Sequence, residues 1–132
     1  MRNISIVTFG VALALGFSFI GSADARTRDH YQCYDITTSS TFTPLSVTLK
    51  DQFGQAVVEV LKPFTLCAPV EKRVGTTVFP IVDPVTHLVC YTIQSPVNAQ
   101  KRVRVKNQFG GLTLSVGQAT ALCVPSKKQV LP

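Results

Sequence analysis

The chain contains the same sequence pattern twice, and this duplication limits the folds it can adopt more than any other feature. The pentapeptide KDQFG of residues 50–54 returns as KNQFG in residues 106–110. The match extends on both sides, because 10 of 28 aligned positions are identical between residues 45–72 and residues 101–128. A pattern of this length that is present twice predicts two similar structural units that pack against each other.

The repeat divides the chain into segments. We expect a signal peptide over residues 1–25 and a single β domain over residues 26–132. Within that domain, the first repeat covers residues 29–73, the connector residues 74–85 and the second repeat residues 86–128. The connector contains Gly75, Pro80 and Pro84, which are typical of turns between structural units.

The N-terminus has the pattern of a secretory signal peptide. A short basic start precedes an uncharged apolar run over residues 4–20, and Ala23-x-Ala25 then fits the cleavage site of signal peptidase. We expect cleavage after Ala25 and a mature protein that is secreted or periplasmic, and a retained membrane anchor is the alternative. No later apolar segment is long enough to span a membrane. Cleavage would remove Arg2 and Asp24, so the net charge stays at +6, a balance that favours anionic partners.

All four cysteines lie in the predicted mature part, and an even number in a small exported chain predicts two disulfides. The repeat favours the pairs Cys33–Cys67 and Cys90–Cys123, which give each unit the same cross-link. The pairs Cys33–Cys90 and Cys67–Cys123 are the alternative. No two cysteines are closer than 23 residues, so the spacing does not resemble that of a zinc site. We expect neither a metal nor a cofactor.

Alternating apolar and polar residues predict β strands on both sides of the repeated pentapeptide. Val103 and Val105 alternate with basic residues before it, and Leu112 and Leu114 alternate with polar residues after it. Over both copies we expect about eight short strands, near residues 31–36, 46–52, 56–61, 65–68, 88–93, 102–108, 112–116 and 121–124. The predicted fold class is all-β, a small sandwich or barrel in which the two repeats pack about an approximate two-fold axis.

The repeated pentapeptide is predicted to form the turn of a β-hairpin. Gly54 or Gly110 supplies the positive φ angle that such a turn needs. The side chain of Asp51 or Asn107 can accept hydrogen bonds from nearby amides. We expect the phenylalanine of each pentapeptide to fold back and close the core.

The sequence does not predict a catalytic site. The two histidines, His30 and His87, occupy the same position in the two copies, and neither accompanies a nucleophile motif or a carboxylate that both copies share. The two could meet across a two-fold axis, but two ligands alone make a weak metal site. A glycine-rich phosphate loop is absent from the sequence. We therefore do not expect an enzyme.

The copies differ most in charge. Lys101, Arg102, Arg104 and Lys106 make the strand before the second turn basic, whereas the first copy has only Lys50 at the matching positions. Two interpretations are open: an anion-binding surface, or a solvated strand whose charges oppose edge-to-edge aggregation. Nucleic acid is not an expected partner, because the protein is predicted to be exported and no aromatic residues alternate with the basic ones.

Three segments of each repeat also resemble a known group of proteins. The Cys-Tyr pair near the start, the Lys-Asp/Asn-Gln-Phe-Gly turn and the Leu-Cys-x-Pro segment are similar to an uncharacterised family of exported bacterial proteins, a domain of unknown function often found in tandem copies. The resemblance covers nearly the whole predicted mature chain. It implies a bacterial, exported β module with disulfides, and it implies no activity, ligand or catalytic residue.

These features favour a secreted or envelope-associated β module that is not an enzyme and has a binding or structural role. Its expected partners are anionic envelope polymers or another protein. One alternative is a small inhibitor of extracellular hydrolases, which would present residues 37–44 or the connector as a rigid loop. The other is an enzyme of unrecognised type. The sequence leaves the oligomeric state open.

Overall fold

A computed structural model describes residues 27–132, which form β strands and no helix. The predicted signal peptide, residues 1–25, lies outside the described residues. The prediction of an all-β fold is confirmed. The strands are β1 (His30–Asp35), β2 (Leu45–Asp51), β3 (Gly54–Val70), β4 (Lys72–Val74), β5 (Thr77–Phe79), β6 (Thr86–Gln94), β7 (Asn98–Asn107), β8 (Gly110–Gln118) and β9 (Ala121–Lys127). Within residues 27–132 there is no helix long and apolar enough to cross a membrane.

The central sheet has five strands, each antiparallel to its neighbours. Its order is β1-β3-β6-β9, and β2 lies beside the first half of β3. Strands β1 to β3 come from the first repeat, and β6 and β9 come from the second. The pairs β4-β5 and β7-β8 form two further sheets of two strands each. The described strands therefore form open sheets, and the closed barrel, one of the two predicted architectures, is not formed.

The two repeats are joined by the pairing of β3 with β6. The register places Val60 opposite Ile93 and Cys67 opposite Leu88, with irregularities on both sides of Pro63. Proline has no amide hydrogen to donate, so a bulge is where a strand tolerates it. Each repeat contributes one strand to this junction, which makes the backbone hydrogen bonds of one repeat depend on the other.

The predicted two-fold relation between the repeats is wrong. Because β1 and β6 are both antiparallel to β3, these matching strands run in the same direction, and each is followed across the sheet by its own partner strand. A two-fold axis that exchanges the repeats would reverse their order in the sheet. The repeats are instead related by a shift across the sheet, perpendicular to the strands. The last strand of the first repeat, β3, pairs with the first strand of the second repeat, β6.

Two elements differ from the predicted strands. The strands expected at residues 56–61 and 65–68 are one 17-residue strand, β3, because Pro63 bends the strand without ending it. The end of the first repeat and the start of the connector form the small hairpin β4-β5, whose turn includes Gly75 at a φ of 58°. The sequence did not predict these two strands, each of which is only three residues long.

The apolar core lies at the junction of the two repeats. Val58 and Val60 on β3 pack with Ile93 on β6, and these side chains are 3%, 5% and 8% exposed. Phe42 from the first repeat and Leu122 from the second pack around them. Neither repeat encloses this cluster alone, so burial of the core requires both.

Both disulfides have the favoured predicted pairing. Cys33 is bonded to Cys67 and Cys90 is bonded to Cys123. In each case the two cysteines lie directly opposite each other on antiparallel strands, β1 with β3 and β6 with β9. Each bond therefore fixes the register of one strand pair within one repeat.

The hairpin turns also form as predicted. The Oδ1 atom of Asp51 accepts hydrogen bonds from the amides two and three residues later, at 2.7 and 3.1 Å. The Oδ1 atom of Asn107 accepts one from the amide two residues later, at 2.8 Å. Gly110 has a φ of 116°, which side chains with a Cβ atom rarely adopt. Because an acid and an amide perform the same task, the charge at this position is not needed for the turn.

The prediction that both phenylalanines close the core is wrong for the second copy. Phe53 is half-buried, but Phe109 is 74% exposed. Residues 108 and 109 form a two-residue loop beyond the last strand pair, Asn107 with Gly110. The ring therefore projects past the end of its own hairpin.

Two carboxylates attach the connector to the central sheet. Asp29, just before β1, accepts hydrogen bonds from the amides of Val82 at 2.6 Å and Asp83 at 2.9 Å. Asp83 in turn accepts hydrogen bonds from the amides of Val85 and Thr86 at the start of β6, at 2.9 and 3.1 Å. A side-chain hydrogen bond with Thr86, followed by these backbone amides, lowers the pKa of Asp83 below its ordinary value of 3.8.

Removal of one disulfide should destabilise the protein strongly. Replacing Cys33 and Cys67 by alanine opens a cross-link between residues 34 positions apart. We expect the free energy of unfolding to fall by about 3–4 kcal/mol, because the unfolded chain regains the entropy of the closed loop. Urea denaturation of the oxidised protein measures this loss. The matched Cys90 and Cys123 double variant should lose a similar amount, and an unchanged denaturation midpoint for either variant would contradict the prediction.

Asp83 should make stability depend on acid pH. Its pKa is lower in the folded protein, so its hydrogen bonds stabilise the fold above the ordinary value of 3.8, and this stabilisation is lost as the pH falls through the lowered pKa. We expect the variant D83N, which keeps an acceptor oxygen but cannot titrate, to show a weaker fall in melting temperature below about pH 4. The variant D35N, which removes a carboxylate at the exposed end of β1, is the control and should retain the fall seen in the parent protein. Identical pH profiles for D83N and the parent would refute this role of Asp83.

Candidate functional site

The hairpin of β7 and β8 has two chemically different faces. Side chains alternate between the faces along each strand, and the register fixes which residues share a face. The cationic face consists of Arg102, Arg104, Lys106, Thr113 and Ser115. The apolar face consists of Val103, Val105, Leu112, Leu114 and Val116. The hairpin thus separates charge from apolar surface across its own thickness.

The four predicted anion-binding residues do not all lie together. Arg102, Arg104 and Lys106 share the cationic face and are exposed. Lys101 is also exposed, but it lies opposite Val116 on the other face. Adjacent residues of a strand point to opposite sides, so Lys101 and Arg102 cannot contribute to one surface in the same way. The candidate site therefore contains three of the four residues.

The cations of this face have no acidic partner among the described residues. The one ion pair within residues 27–132 joins Arg73 and Glu71, which lie elsewhere. Across the hairpin, Thr113 and Ser115 present hydroxyl groups to the same face. Alternate residues of a strand are about 7 Å apart, so the three cations form a row with regular spacing. Such a row attracts an extended anion more strongly than a single compact one.

The first repeat does not contain an equivalent cationic face. At the matching positions β2 has Ser46, Thr48 and Lys50, and Ser46 lies opposite Glu59 on β3. One cation and one carboxylate leave that face without net charge. The cationic face is therefore specific to the second repeat, as the sequence predicted.

The tip of the second hairpin is held against the first repeat by a group of residues that we call the tip cluster. The Nζ atom of Lys72 lies 4.7 Å from the ring centre of Phe109 and 4.8 Å from that of Phe79. The ring of His30 meets Phe79 edge to face at 5.4 Å, and its Nε2 atom lies 3.2 Å from Nε2 of Gln108. The Lys72 Nζ atom is buried without a hydrogen-bond acceptor, so the two rings provide its stabilisation.

The tip cluster contacts the end of the hairpin that carries the cationic face, and the sequence did not predict it. Its residues come from the start of β1, the connector hairpin and the second turn, which are far apart in the chain. The only signal was the large apolar side chain of Phe109 in a turn, which we had assigned to the core. The contact with Lys72 gives the aromatic ring a partner at this exposed position.

The two histidines do not meet. Strand β3 lies between β1, which carries His30, and β6, which carries His87. His87 is 6% exposed, and its Nδ1 atom lies 3.0 Å from the carbonyl oxygen of Val85. Residues 27–132 contain no group of three or more His, Cys, Asp or Glu side chains that could hold a metal ion. The expectation that the protein is not an enzyme stays a prediction.

A small cleft lies beside the core, away from the cationic face. A cleft of about 230 Å³ lies between the first hairpin and the end of β6, lined by Val58, Ile93 and Val97 among others. Its volume is below the range of roughly 300–1,000 Å³ that small-molecule sites occupy.

Residues 37–44, one of the two predicted inhibitory loops, are anchored by Phe42, whose ring centre lies 5.2 Å from that of Tyr91. The inhibitor interpretation stays a prediction.

Removing the ring of Phe109 should loosen the second hairpin. The variant F109A takes away one of the two rings beside Lys72, and the contact is worth about 0.5–2 kcal/mol. We expect faster hydrogen exchange of the β7 and β8 amides, measured by mass spectrometry, with the central sheet unchanged. The matched control is F53A, at the same position of the first turn, which should leave exchange in β7 and β8 unaltered. Equal exchange in F109A and the parent protein would show that the tip cluster does not hold the hairpin.

A family model described as "Repeat of unknown function (DUF7450)" matches residues 20–125, which include both hairpins and both disulfides. No curated protein and no solved structure matches the chain. The description assigns neither an activity nor a ligand to the family, so the geometry of the cationic face has to carry the functional argument. The model covers well over half of the sequence, and the chain belongs to this family of repeats of unknown function.

Proposed function

We propose that the protein is an exported bacterial β module, without enzymatic activity, that binds linear anionic polymers of the cell envelope through its cationic face. The observation that carries this proposal is the row of Arg102, Arg104 and Lys106 on one exposed strand without acidic partners among the described residues. The first repeat has the same hairpin without this charge. A difference confined to one copy is not required by the shared fold, so it suits a role in binding.

The spacing of the cations supports a polymer as the ligand. The three cationic groups span about 14 Å along the strand, a length over which a chain of regularly spaced phosphates or carboxylates can make several contacts. Arginine presents several N–H donors in a planar fork, which suits oxyanions. The hydroxyl groups of Thr113 and Ser115 add neutral donors on the same face.

Two further observations support an exported location. The N-terminal pattern, with an apolar run at residues 4–20 and Ala23-x-Ala25 after it, is that of a cleavable signal peptide. Both cysteine pairs are bonded, and such disulfides persist in oxidising compartments outside the cytoplasm. In that location the protein would contact envelope polymers directly.

Neutralising the cationic face should weaken polyanion binding. The triple variant R102Q/R104Q/K106Q removes three charges without changing the length of the strand. A cation near an anionic surface contributes about 1 kcal/mol, so we expect binding to immobilised dextran sulfate, a linear polyanion, to become at least roughly tenfold weaker. The salt concentration at elution and the dissociation constant at fixed ionic strength measure this.

The control for this experiment removes the same number of charges elsewhere. The variant K50Q/K62Q/K128Q changes three exposed lysines that lie on different parts of the molecule. It should elute close to the parent protein. If both triple variants lose affinity equally, net charge and not the cationic face is responsible, and the proposal fails. It also fails if the parent protein is not retained.

A further inference from the structure

The internal junction is the pairing of β3 with β6, and each of these strands has a counterpart at an outer edge of the central sheet. Among the described residues, neither counterpart pairs with a strand on its outer side. Inside the chain, β3 accepts β6 on the side away from β1. Strand β9 matches the second half of β3, and within the described residues no strand lies on its far side. Strand β1 matches β6, and its far side is likewise free among the described strands. The outer edge of β9 thus corresponds to the edge of β3 that pairs with β6.

The cysteines show the effect of this missing neighbour. Cys67 and Cys90, on the two strands that meet at the internal junction, are each 3% exposed. Their counterparts in the other repeat, Cys123 on β9 and Cys33 on β1, are exposed. The disulfide chemistry and the strand pairing are the same in both repeats. Only the presence of a flanking strand differs.

Apolar side chains show the same difference. Val58, on the first hairpin, is 3% exposed, whereas the matching Leu114 on the second hairpin is 41% exposed. Tyr91 on β6 is half-buried, whereas the matching Tyr34 on β1 is 51% exposed. In the first repeat, the side chains that cover the hairpin include Ile93 and Tyr91 on β6 and Leu122 on β9, all from the second repeat. Among the described residues no further unit supplies such side chains to the second hairpin.

Free backbone groups are available on both outer edges. The amide of Ile36 donates to the carbonyl oxygen of Phe64 on β3, at 3.4 Å, so by alternation the amides of Tyr31 and Cys33 point away from β3. The amide of Ile93 on β6 donates toward Thr120, at 3.1 Å. By the same alternation across β6 and β9, the amides of Ala121 and Cys123 point away from β6.

The internal junction gives the register that these two edges would share. On the internal junction Thr65 lies opposite Cys90, and Cys67 lies opposite Leu88. Positions on β3 correspond to positions 56 residues later on β9, and positions on β6 correspond to positions 57 residues earlier on β1. Ala121 would then lie opposite Cys33 of the next copy, and Cys123 opposite Tyr31 of the next copy.

We infer that a second copy of this chain binds head to tail, with its β1 edge paired to the β9 edge of the first copy as β6 is paired to β3. The second copy is the occupant because its β1 has the strand direction and the Cys-Tyr sequence of β6, and its six residues include Tyr31 and Cys33, the two positions that the transferred register pairs. The last internal pair, Cys67 with Leu88, precedes Pro69. The matching Pro125 therefore lies outside the required hydrogen bonds.

The symmetry of the repeats decides what kind of assembly results. Because they are related by a shift across the sheet and not by a two-fold axis, the same operation applied again adds a unit without closing on itself. A contact between two different surfaces of identical chains produces an open array when the operation that relates them does not close into a ring. The inference does not rest on polyanion binding, since the cationic face lies on the opposite side of its hairpin from the apolar face.

The experiment uses two variants of the disulfide-bonded protein, each blocked at one edge. A121P removes an outward amide of β9, and Y31P removes an outward amide of β1, positions where an edge strand tolerates proline. Sedimentation equilibrium measures the average mass of each protein alone and of an equimolar mixture. We expect the parent protein to exceed the mass of a dimer as concentration rises, and each variant alone to remain a monomer. The mixture should form dimers and stop there, because each variant retains one complementary edge.

Several outcomes would overturn the inference. A parent protein that stays monomeric at its highest soluble concentration excludes self-association and leaves a strand from another protein as the occupant. A mixture that stays monomeric excludes the head-to-tail arrangement. Association that stops at a dimer in the parent protein indicates a two-fold contact instead.

Two further variants guard against misfolding and separate this inference from the proposed function. If either proline variant loses its β-sheet circular dichroism, A121K and Y31K replace the pair, since both side chains are exposed in the single chain. The same mixing result is expected from them, and its absence counts against the inference. The variant R102Q/R104Q/K106Q should associate like the parent protein whether or not it binds polyanions.

Discussion

The backbone pairing of β3 with β6 is the interaction on which the rest of the molecule depends. It is the contact between the last strand of the first repeat and the first strand of the second, and the buried core around Val58 and Ile93 lies beside it. It also places Cys67 and Cys90, one cysteine from each disulfide, on adjacent strands where both are buried. A single repeat is too small to enclose a core by itself, so the second repeat covers the apolar side chains of the first.

The same constraint explains why two copies of one pattern have different surroundings. The first hairpin turns its apolar side toward the second repeat and becomes part of the core. Within the described residues no third repeat covers the second hairpin, its apolar side chains are partly exposed, and its tip contacts Lys72 through Phe109. Binding of polyanions and addition of further copies are compatible, because they use opposite sides of this hairpin.

Much of the fold could be predicted because each repeat tested the interpretation of the other. The disulfide pairing followed from symmetry, the turn followed from Asp51 and Asn107 at the same place, and the cationic face followed from alternation in β7. The prediction was wrong wherever it depended on how the units are placed in space. It assigned a two-fold axis to a translational arrangement and placed Phe109 in the core. The tip cluster combines three distant segments, and no local pattern announces such a contact.

The sequence by itself determined most of the local structure: where most of the strands lie, which residues form the two matching hairpin turns, which cysteines correspond between the repeats and which strand carries excess charge. These properties depend on side-chain alternation and short-range hydrogen bonds, which neighbouring residues specify. Only the tertiary structure decided the direction in which the second repeat follows the first, and so which edges remain free. The direction depends on which strand of the first repeat pairs with which strand of the second repeat. Backbone hydrogen-bonding groups are the same in every residue except proline, so their edges carry little sequence information about which neighbour they will accept.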